Sequence, residues 1–132
     1  MANEAVLVLR QEDPIDFIVN DSSGIEKGSV QALITPRTVK PTSDTAQVCA
    51  GIARREKIAS DGRTRLGFFR KGIFRMVPTP QAISVGAQVV ISGTNLIRTA
   101  LTDGTEDHAV IGRALETSPV QTSTAIQVAV NM

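Results

Sequence analysis

The apolar residues of this chain fall into short runs separated by turn-forming residues, and this pattern limits the folds that the chain can adopt. Two such runs, "ISVGAQVVI" and "NLIRTAL", flank a turn at Ser92 and Gly93, and a third, "TAIQVAVNM", closes the chain. No long stretch has a helical period, and the Val and Ile that are common in these runs favour strands. The pattern predicts an all-β fold with at most one short helix, for which "AVIGRALETS" is the candidate.

The length of 132 residues is typical of one domain, so we expect a small single-domain β-barrel or β-sandwich-like fold. No apolar run approaches the roughly 20 residues that a membrane span needs, and no membrane partner is expected. The first ten residues, "MANEAVLVLR", lack the features of a secretory signal, which indicates synthesis in a cytoplasm.

The first 20 residues are predicted to form an N-terminal arm or edge strand, and residues 21–132 the β-barrel or sandwich domain. Pro14 separates the apolar run "EAVLVLR" from "IDFIVND" and forbids one continuous central strand. Within the domain, Asp61 and Gly62 are expected to form a two-residue hairpin turn, and a second hairpin is expected about Ser92 and Gly93.

A loose internal similarity indicates that the domain could have two related parts. Gly28 in "IEKGSVQAL" precedes Gly51 in "CAGIAR" by 23 residues, and Gly86 in "ISVGAQVVI" precedes Gly112 in "VIGRA" by 26. A glycine within a strand marks a bulge or a close backbone approach. The similarity indicates either a repeated β unit or chance resemblance in a chain rich in Ala, Val and Gly.

Charge is unevenly distributed along the chain, although the formal net charge is only +1. Residues 1–28 carry a net charge of −4, and residues 54–75 carry +6. Such asymmetry suits either a polyanionic partner or surfaces of opposite sign that meet in an assembly.

The chemical groups of the chain make an enzyme an unfavoured class. His108 is the only histidine and Cys49 the only cysteine, which excludes a multi-histidine metal site and an internal disulfide within one chain. The sequence has no phosphate-binding loop, dinucleotide fingerprint or HExxH motif. We therefore expect no catalytic, metal or cofactor site, and we interpret Cys49 as a small buried apolar residue.

The basic stretch "RTRLGFFRKGIFRM" is the segment of the chain that supports nucleic-acid binding, since β-barrels bind single strands through phosphate contacts and base stacking. Strand alternation places Phe68 on the core face with Leu66 and leaves Phe69 as the one good stacking candidate on the arginine face. The nearly neutral chain lacks the strongly basic character typical of nucleic-acid binders. Nucleic acid is therefore an alternative and not the expected partner.

The order of motifs along the chain resembles that of the small capsid decoration, or cement, proteins of tailed viruses of the bacteriophage type. The segments that carry the resemblance are, in order, "GIARREKIASDGRTRLGFFRKGIFRMV", "AISVGAQVVISGTNLIRTA", "HAVIGRALET" and "AIQVAVN". The resemblance implies a compact β-barrel or β-sandwich-like protein that forms a homotrimer on the outer capsid surface of the virion. It also implies that such a protein binds the major capsid protein and stabilises contacts between capsid subunits. A head-completion or tail-tube component is a further alternative.

Two sets of residues are expected to make the contacts of such a protein. The first is a capsid-binding segment, which could add to a capsid sheet or form an edge strand of the protein's own barrel, and comprises Glu4, Ala5, Val6, Leu7, Val8, Leu9 and Arg10. The second is a charged interface for acidic capsid patches or the acidic front of a neighbouring copy, formed by Arg54, Arg55, Arg63, Arg65, Arg70, Lys71 and Arg75.

Overall fold

Short apolar runs form strands along the whole chain, as the sequence predicts. The computed structural model describes residues 3–119 and 124–132, and within them the only helix is a 3-10 turn at Asp107–Ala109. The segment "AVIGRALETS" contributes a strand and not a helix. In chain order the strands are β1 (Val6–Arg10), β2 (Ile15–Ile18), β3 (Val30–Thr35), β4 (Thr38–Pro41), β5 (Cys49–Ala53), β6 (Arg65–Phe69), β7 (Lys71–Pro78), β8 (Gln88–Ile91), β9 (Leu96–Thr99), β10 (Gly112–Ala114) and β11 (Ile126–Asn131).

Strands β2 to β6 form a small closed barrel in the order β2-β4-β3-β5-β6. All neighbours are antiparallel except β2 and β4, which meet in parallel at Ile18 and Thr38. Apolar side chains fill the interior, where Phe17 and Phe68 meet edge to face with ring centroids 5.8 Å apart.

Strands β7 to β11 form a second ring. The ring is closed by a parallel pairing of β7 with β9, in which Val77 lies opposite Leu96. The order around this ring is β7-β11-β10-β8-β9. Strand β1 lies outside the ring and pairs with the first half of β7, with Val6 opposite Arg75. The apolar C-terminal strand, β11, lies between β7 and β10, and pairs with β7 along its whole length and with β10 through Val128, Ala129 and Val130.

The two rings have the same connectivity, since β2 to β6 correspond one by one to β7 to β11. The glycines of the sequence similarity lie at equivalent places in the two rings. Gly28 and Gly86 have φ values of 86° and 84°, and their N–H groups donate to the carbonyl oxygens of Ala53 and Ala114 at 2.9 and 2.7 Å. Both positions require the positive φ that glycine adopts without strain.

An isolated pairing outside the strands is repeated as well. Ile25 and Lys57 form an antiparallel bridge in the first half, and Ile83 and Ser118 form the equivalent bridge in the second. The shared topology and these shared bridges favour a repeated β unit over chance similarity.

The two barrels are joined by a shared apolar core and a short connection through Arg70. Phe69 at the end of β6 packs against Phe74 of β7 with ring centroids 5.9 Å apart. The buried side chain of Asn95, in the β8–β9 turn, accepts a hydrogen bond from the backbone N–H of Val30 at 2.8 Å. Together these contacts fix the second barrel against the first.

The two predicted hairpins have different outcomes. Strands β8 and β9 form an antiparallel hairpin about Ser92 and Gly93, as expected. Strands β5 and β6 are antiparallel neighbours, but residues 54–64 connect them, and the predicted two-residue turn at Asp61 and Gly62 is wrong.

Lys57 is the physical reason for this longer connection. Its side chain is fully buried, and its Nζ donates hydrogen bonds to three carbonyl oxygens, those of Asp21, Ser23 and Ile58, at 2.7, 3.3 and 3.2 Å. The carboxylates of Asp21 and Asp61 lie 3.4 and 3.3 Å from the same atom. A buried ammonium needs this density of partners, so the loop folds inward to provide them.

The N-terminal 20 residues do not behave as one segment. Strand β1 pairs along the edge of β7 in the second barrel, whereas β2 is one of the closing strands of the first barrel. Between them, Arg10 forms an ion pair with Asp13, and Pro14 lies at the turn into β2.

Candidate interaction surface

Strand β1 is an exposed apolar edge strand. The exposed fractions of Val6, Leu7, Val8 and Leu9 are 60, 39, 44 and 52%, although all four lie in a paired strand. Among the described residues β1 pairs only with β7, so its outer backbone edge carries no neighbouring strand. Exposed edges of this kind are sites at which another chain can add.

The residues on either side of this strand have different environments. Ala5 is buried, and its N–H donates to the carbonyl oxygen of Gly28 at 2.8 Å, which anchors β1 to the first barrel. Glu4 precedes this anchor, and Arg10 ends the strand opposite Gly72. Of the two predictions for Glu4 to Arg10, the structure shows the edge strand of the protein's own sheet.

The outer face of the second barrel continues from β1 as a row of side chains across four strands. Pairing places Leu9 opposite Ile73, Ile73 opposite Ala129, and Ala129 opposite Arg113. Directly opposed residues share one face of an antiparallel sheet. Ile73 and Ala129 are half-buried, so the row is a flat surface that is apolar at its centre.

Cationic side chains border this row. Arg75 lies opposite both Val6 and Gln127 and is exposed, as is Lys71 at the start of β7. The guanidinium of Arg75 lies 3.9 Å from the carboxylate of Glu116, a contact too long and exposed to neutralise it strongly. We call the surface formed by Val6, Leu9, Lys71, Ile73, Arg75, Arg113 and Ala129 the outer face.

Four of the five other predicted cations lie on the first barrel. Strand β5 ends just before Arg54 and Arg55, whereas Arg65 is the first residue of β6 and Arg63 lies two residues before it. The antiparallel pairing of the two strands therefore brings all four together. They line a groove of about 440 Å³, and Asp16 is the only acidic side chain among the described residues that line it. We call this site the arginine groove.

An apolar cleft of about 820 Å³ separates β1 from the first barrel. Ala5 and Leu7 line one side, Ile52 the other, and Arg54 and Arg55 belong to both the cleft and the arginine groove. The two cavities are therefore contiguous, with an apolar part beside β1 and a cationic part beside β6.

Arg70 is the one predicted interface residue that lies in neither the groove nor the outer face. Its Nε donates to the carbonyl oxygen of Ala50 at 3.0 Å, and its own carbonyl oxygen accepts from the N–H of Met132 at 2.9 Å. Because these contacts lie at the connection between β6 and β7, Arg70 serves the junction of the barrels.

The predicted stacking role of Phe69 is wrong. Leu66 and Phe68 point into the core as alternation predicts, but Phe69 is also buried, with 7% exposed, because the second barrel covers it with Phe74. All four phenylalanines of the chain are buried, and none of them is among the described residues that line the arginine groove.

A largely buried ion pair between strand β9 and the loop that follows it is not predictable from the sequence. Both carboxylate oxygens of Glu106 accept hydrogen bonds from the guanidinium of Arg98, which also donates to the hydroxyl of Thr45 in the first barrel. The Arg98 hydrogen bonds and the N–H of Leu101 lower the pKa of Glu106 to about 2. No spacing rule connects these residues, because the loop between them sets their approach.

The single cysteine is buried, as expected. Burial raises the pKa of the Cys49 thiol to about 12, so the group is not a nucleophile at neutral pH. Within residues 3–119 and 124–132, no group of His, Cys, Asp and Glu side chains is arranged to hold a metal ion. No helix of the described chain is long and apolar enough to cross a membrane.

The sequence matches no protein-family model and has no significant match among curated proteins.

Proposed function

We propose that this protein is a capsid decoration, or cement, protein that binds the outer surface of a viral head as a trimer and stabilises contacts between major capsid subunits. The observation that most supports the proposal is the outer face, where an exposed apolar edge strand continues into a flat row of apolar side chains bordered by cations. A flat surface of this composition suits a protein partner better than a small molecule.

The predicted capsid-binding segment contributes to this contact through its side chains. Val6 and Leu9 lie on the outer face next to Ile73, so the strand and the sheet present one continuous apolar surface. Burying that surface against a capsid subunit supplies affinity in proportion to the apolar area removed from water.

The arginine groove supplies a second, electrostatic contact. Arg54, Arg55 and Arg65 form no ion pair within the described residues, and Arg63 has only a 3.9 Å contact with Asp61. Unpaired guanidinium groups bind carboxylates in bidentate geometry, so an acidic segment of a capsid subunit is the expected partner.

The experiment that tests the proposal is binding of the purified protein to viral heads that lack it. We expect saturable binding, measured by co-sedimentation, that weakens when Leu9 is replaced by Asp and stays unchanged for Leu101→Asp, a matched exposed leucine away from the outer face. Equal binding by both variants would contradict the role of the outer face.

Single-stranded nucleic-acid binding is a second candidate, which the four cations of the arginine groove support. The burial of Phe69 removes the predicted stacking contact, so any such binding would rest on phosphate contacts alone. Fluorescence anisotropy with a single-stranded DNA separates the candidates: strong binding that falls steeply with salt and with Arg65→Ala would favour nucleic acid.

A head-completion or tail-tube component would instead form rings of many copies.

A further inference from the structure

The repeated architecture creates two equivalent backbone sites, and within the described residues only one of them holds a backbone donor. In the first barrel the carbonyl oxygen of Gly28 accepts a hydrogen bond from the backbone N–H of Ala5, at the start of β1. In the second barrel the equivalent oxygen, that of Gly86, accepts only a side-chain hydrogen bond among the described residues, from Nη1 of Arg113 at 3.1 Å.

The space around the two glycines differs in the same way. A Cβ atom on Gly28 would lie 2.4 Å from the carbonyl oxygen of Ala5, because the chain's own N-terminal segment occupies the site. A Cβ atom on Gly86 would meet nothing within 4 Å. As far as the described residues show, the second site is open to an approaching backbone. Its counterpart shows which kind of backbone fits, namely an extended segment that presents an N–H group.

The flanking side chains indicate the chemistry of the missing segment. Lys27 and Arg54 flank the filled site, whereas the equivalent positions of the open site hold Val85 and Leu115, with exposed fractions of 63 and 43%. An apolar border of this kind favours an apolar strand.

We propose that the open site of one copy receives the free outer edge of β1 from a second copy of this chain. The β1 edge has the required properties, since it is extended, unpaired on its outer side and apolar. Val8, the unpaired residue at the β1 bulge, is the side chain that packs against Val85. Glu12 follows the strand closely and carries the charge that Arg113 of the receiving copy would attract.

The contact joins two different surfaces, so each copy offers one strand edge and one open site. Such a heterologous contact repeats around a ring until it closes, and closure leaves no β1 edge exposed. It supplies the copy-to-copy interface that the proposed trimer needs. It uses the backbone edge of β1, which leaves Val6, Leu9, Ile73 and Arg75 of the outer face available to a capsid.

Cross-linking of the free protein tests this contact directly. Two full-length variants, Val8→Cys and Val85→Cys, are mixed in equal amounts and treated with a short bis-maleimide reagent. We expect a covalent dimer of the two unlike chains in at least about tenfold excess over a mixture of Val8→Cys with Leu101→Cys, because specific contact raises the effective concentration of the two thiols. The buried Cys49 does not compete for the reagent.

Two results would overturn the proposal: equal cross-linking of the test and control mixtures, or efficient cross-linking of Val8→Cys alone, which would indicate that β1 edges pair with each other. A second variant gives an independent measurement, since Val85→Lys should weaken self-association by about tenfold or more in analytical ultracentrifugation. Val85 is mostly exposed, so the variant should fold, and unchanged association would count against the contact.

Because all of these measurements use the free protein, their outcome is separate from whether the protein binds a capsid.

Discussion

The Nζ atom of Lys57 lies 3.3 Å from Oδ1 of Asp61, and the lysine side chain is completely buried beneath the loop that contains this aspartate. The equivalent position in the second barrel is Ser118, which cannot reach as many partners. The first barrel therefore depends on a buried ammonium that the second barrel lacks.

Replacing Lys57 by Met should destabilise the protein, because the carbonyl and carboxylate oxygens around Nζ would lose their common donor. We expect the free energy of unfolding to fall by about 3 kcal/mol. Urea denaturation measures the change, and Lys40→Met at an exposed position is the control, with an expected effect within about 0.5 kcal/mol. Equal stability of the two variants would show that the contacts between Nζ of Lys57 and the surrounding oxygens do not stabilise the fold.

Glu106→Gln should produce a pH-dependent loss of stability. The folded-state pKa of Glu106, about 2, is below its ordinary value of 4.5, so the Arg98 contact stabilises the protein above pH 4.5. That contribution is lost as the pH falls from 4.5 through 2. At pH 7 the variant should be less stable by about 2 kcal/mol, and the difference should shrink below pH 4.5.

The measurement for this prediction is a series of thermal or urea unfolding curves between pH 2 and 7. Glu56→Gln, at an exposed glutamate, is the control and should follow the wild-type protein throughout. A Glu106→Gln difference that is independent of pH would mean that the lost stability comes from packing and not from the ion pair.

The thiol of Cys49 should react only when the protein unfolds. Since burial raises the pKa of the thiol to about 12, we expect labelling by a thiol reagent at pH 8 to be at least about 100-fold slower in buffer than in concentrated urea. Rapid labelling of the native protein would show that β5 opens readily at its start.

Alternation and turn residues predicted a large part of this fold. The all-β class, the β8–β9 hairpin and the core positions of Leu66 and Phe68 follow from local patterns, because strand side chains alternate and turns have characteristic residues. The glycines at 28 and 86 also signalled the repeat, since both adopt a conformation that favours glycine.

The features that sequence did not predict depend on contacts between distant residues. Phe69 is buried because the second barrel packs on the first, and Lys57 draws its loop inward through oxygens contributed by residues 21–23. The outer face likewise combines β1, β7, β10 and β11, which only the sheet order brings together. Local periodicity contains no information on such pairings.

Arg75→Glu should weaken capsid binding although it leaves the protein folded. The side chain is exposed on the outer face, so reversing its charge should leave thermal stability nearly unchanged while reducing affinity for capsids by about tenfold. Co-sedimentation at low and high salt measures the affinity, and the difference between variant and wild type should narrow as salt rises. Lys40→Glu is a matched control for an exposed cation on strand β4 of the first barrel, away from both the groove and the outer face.

The most direct test of the proposed function is the thermal disruption of viral heads that lack this protein, measured by the release of packaged DNA with and without the purified chain. We expect that heads assemble without the protein, that added protein binds their outer surface, and that the disruption temperature rises as binding saturates. Heads that bind none of the protein, or that bind it and break at an unchanged temperature, would contradict the proposed function.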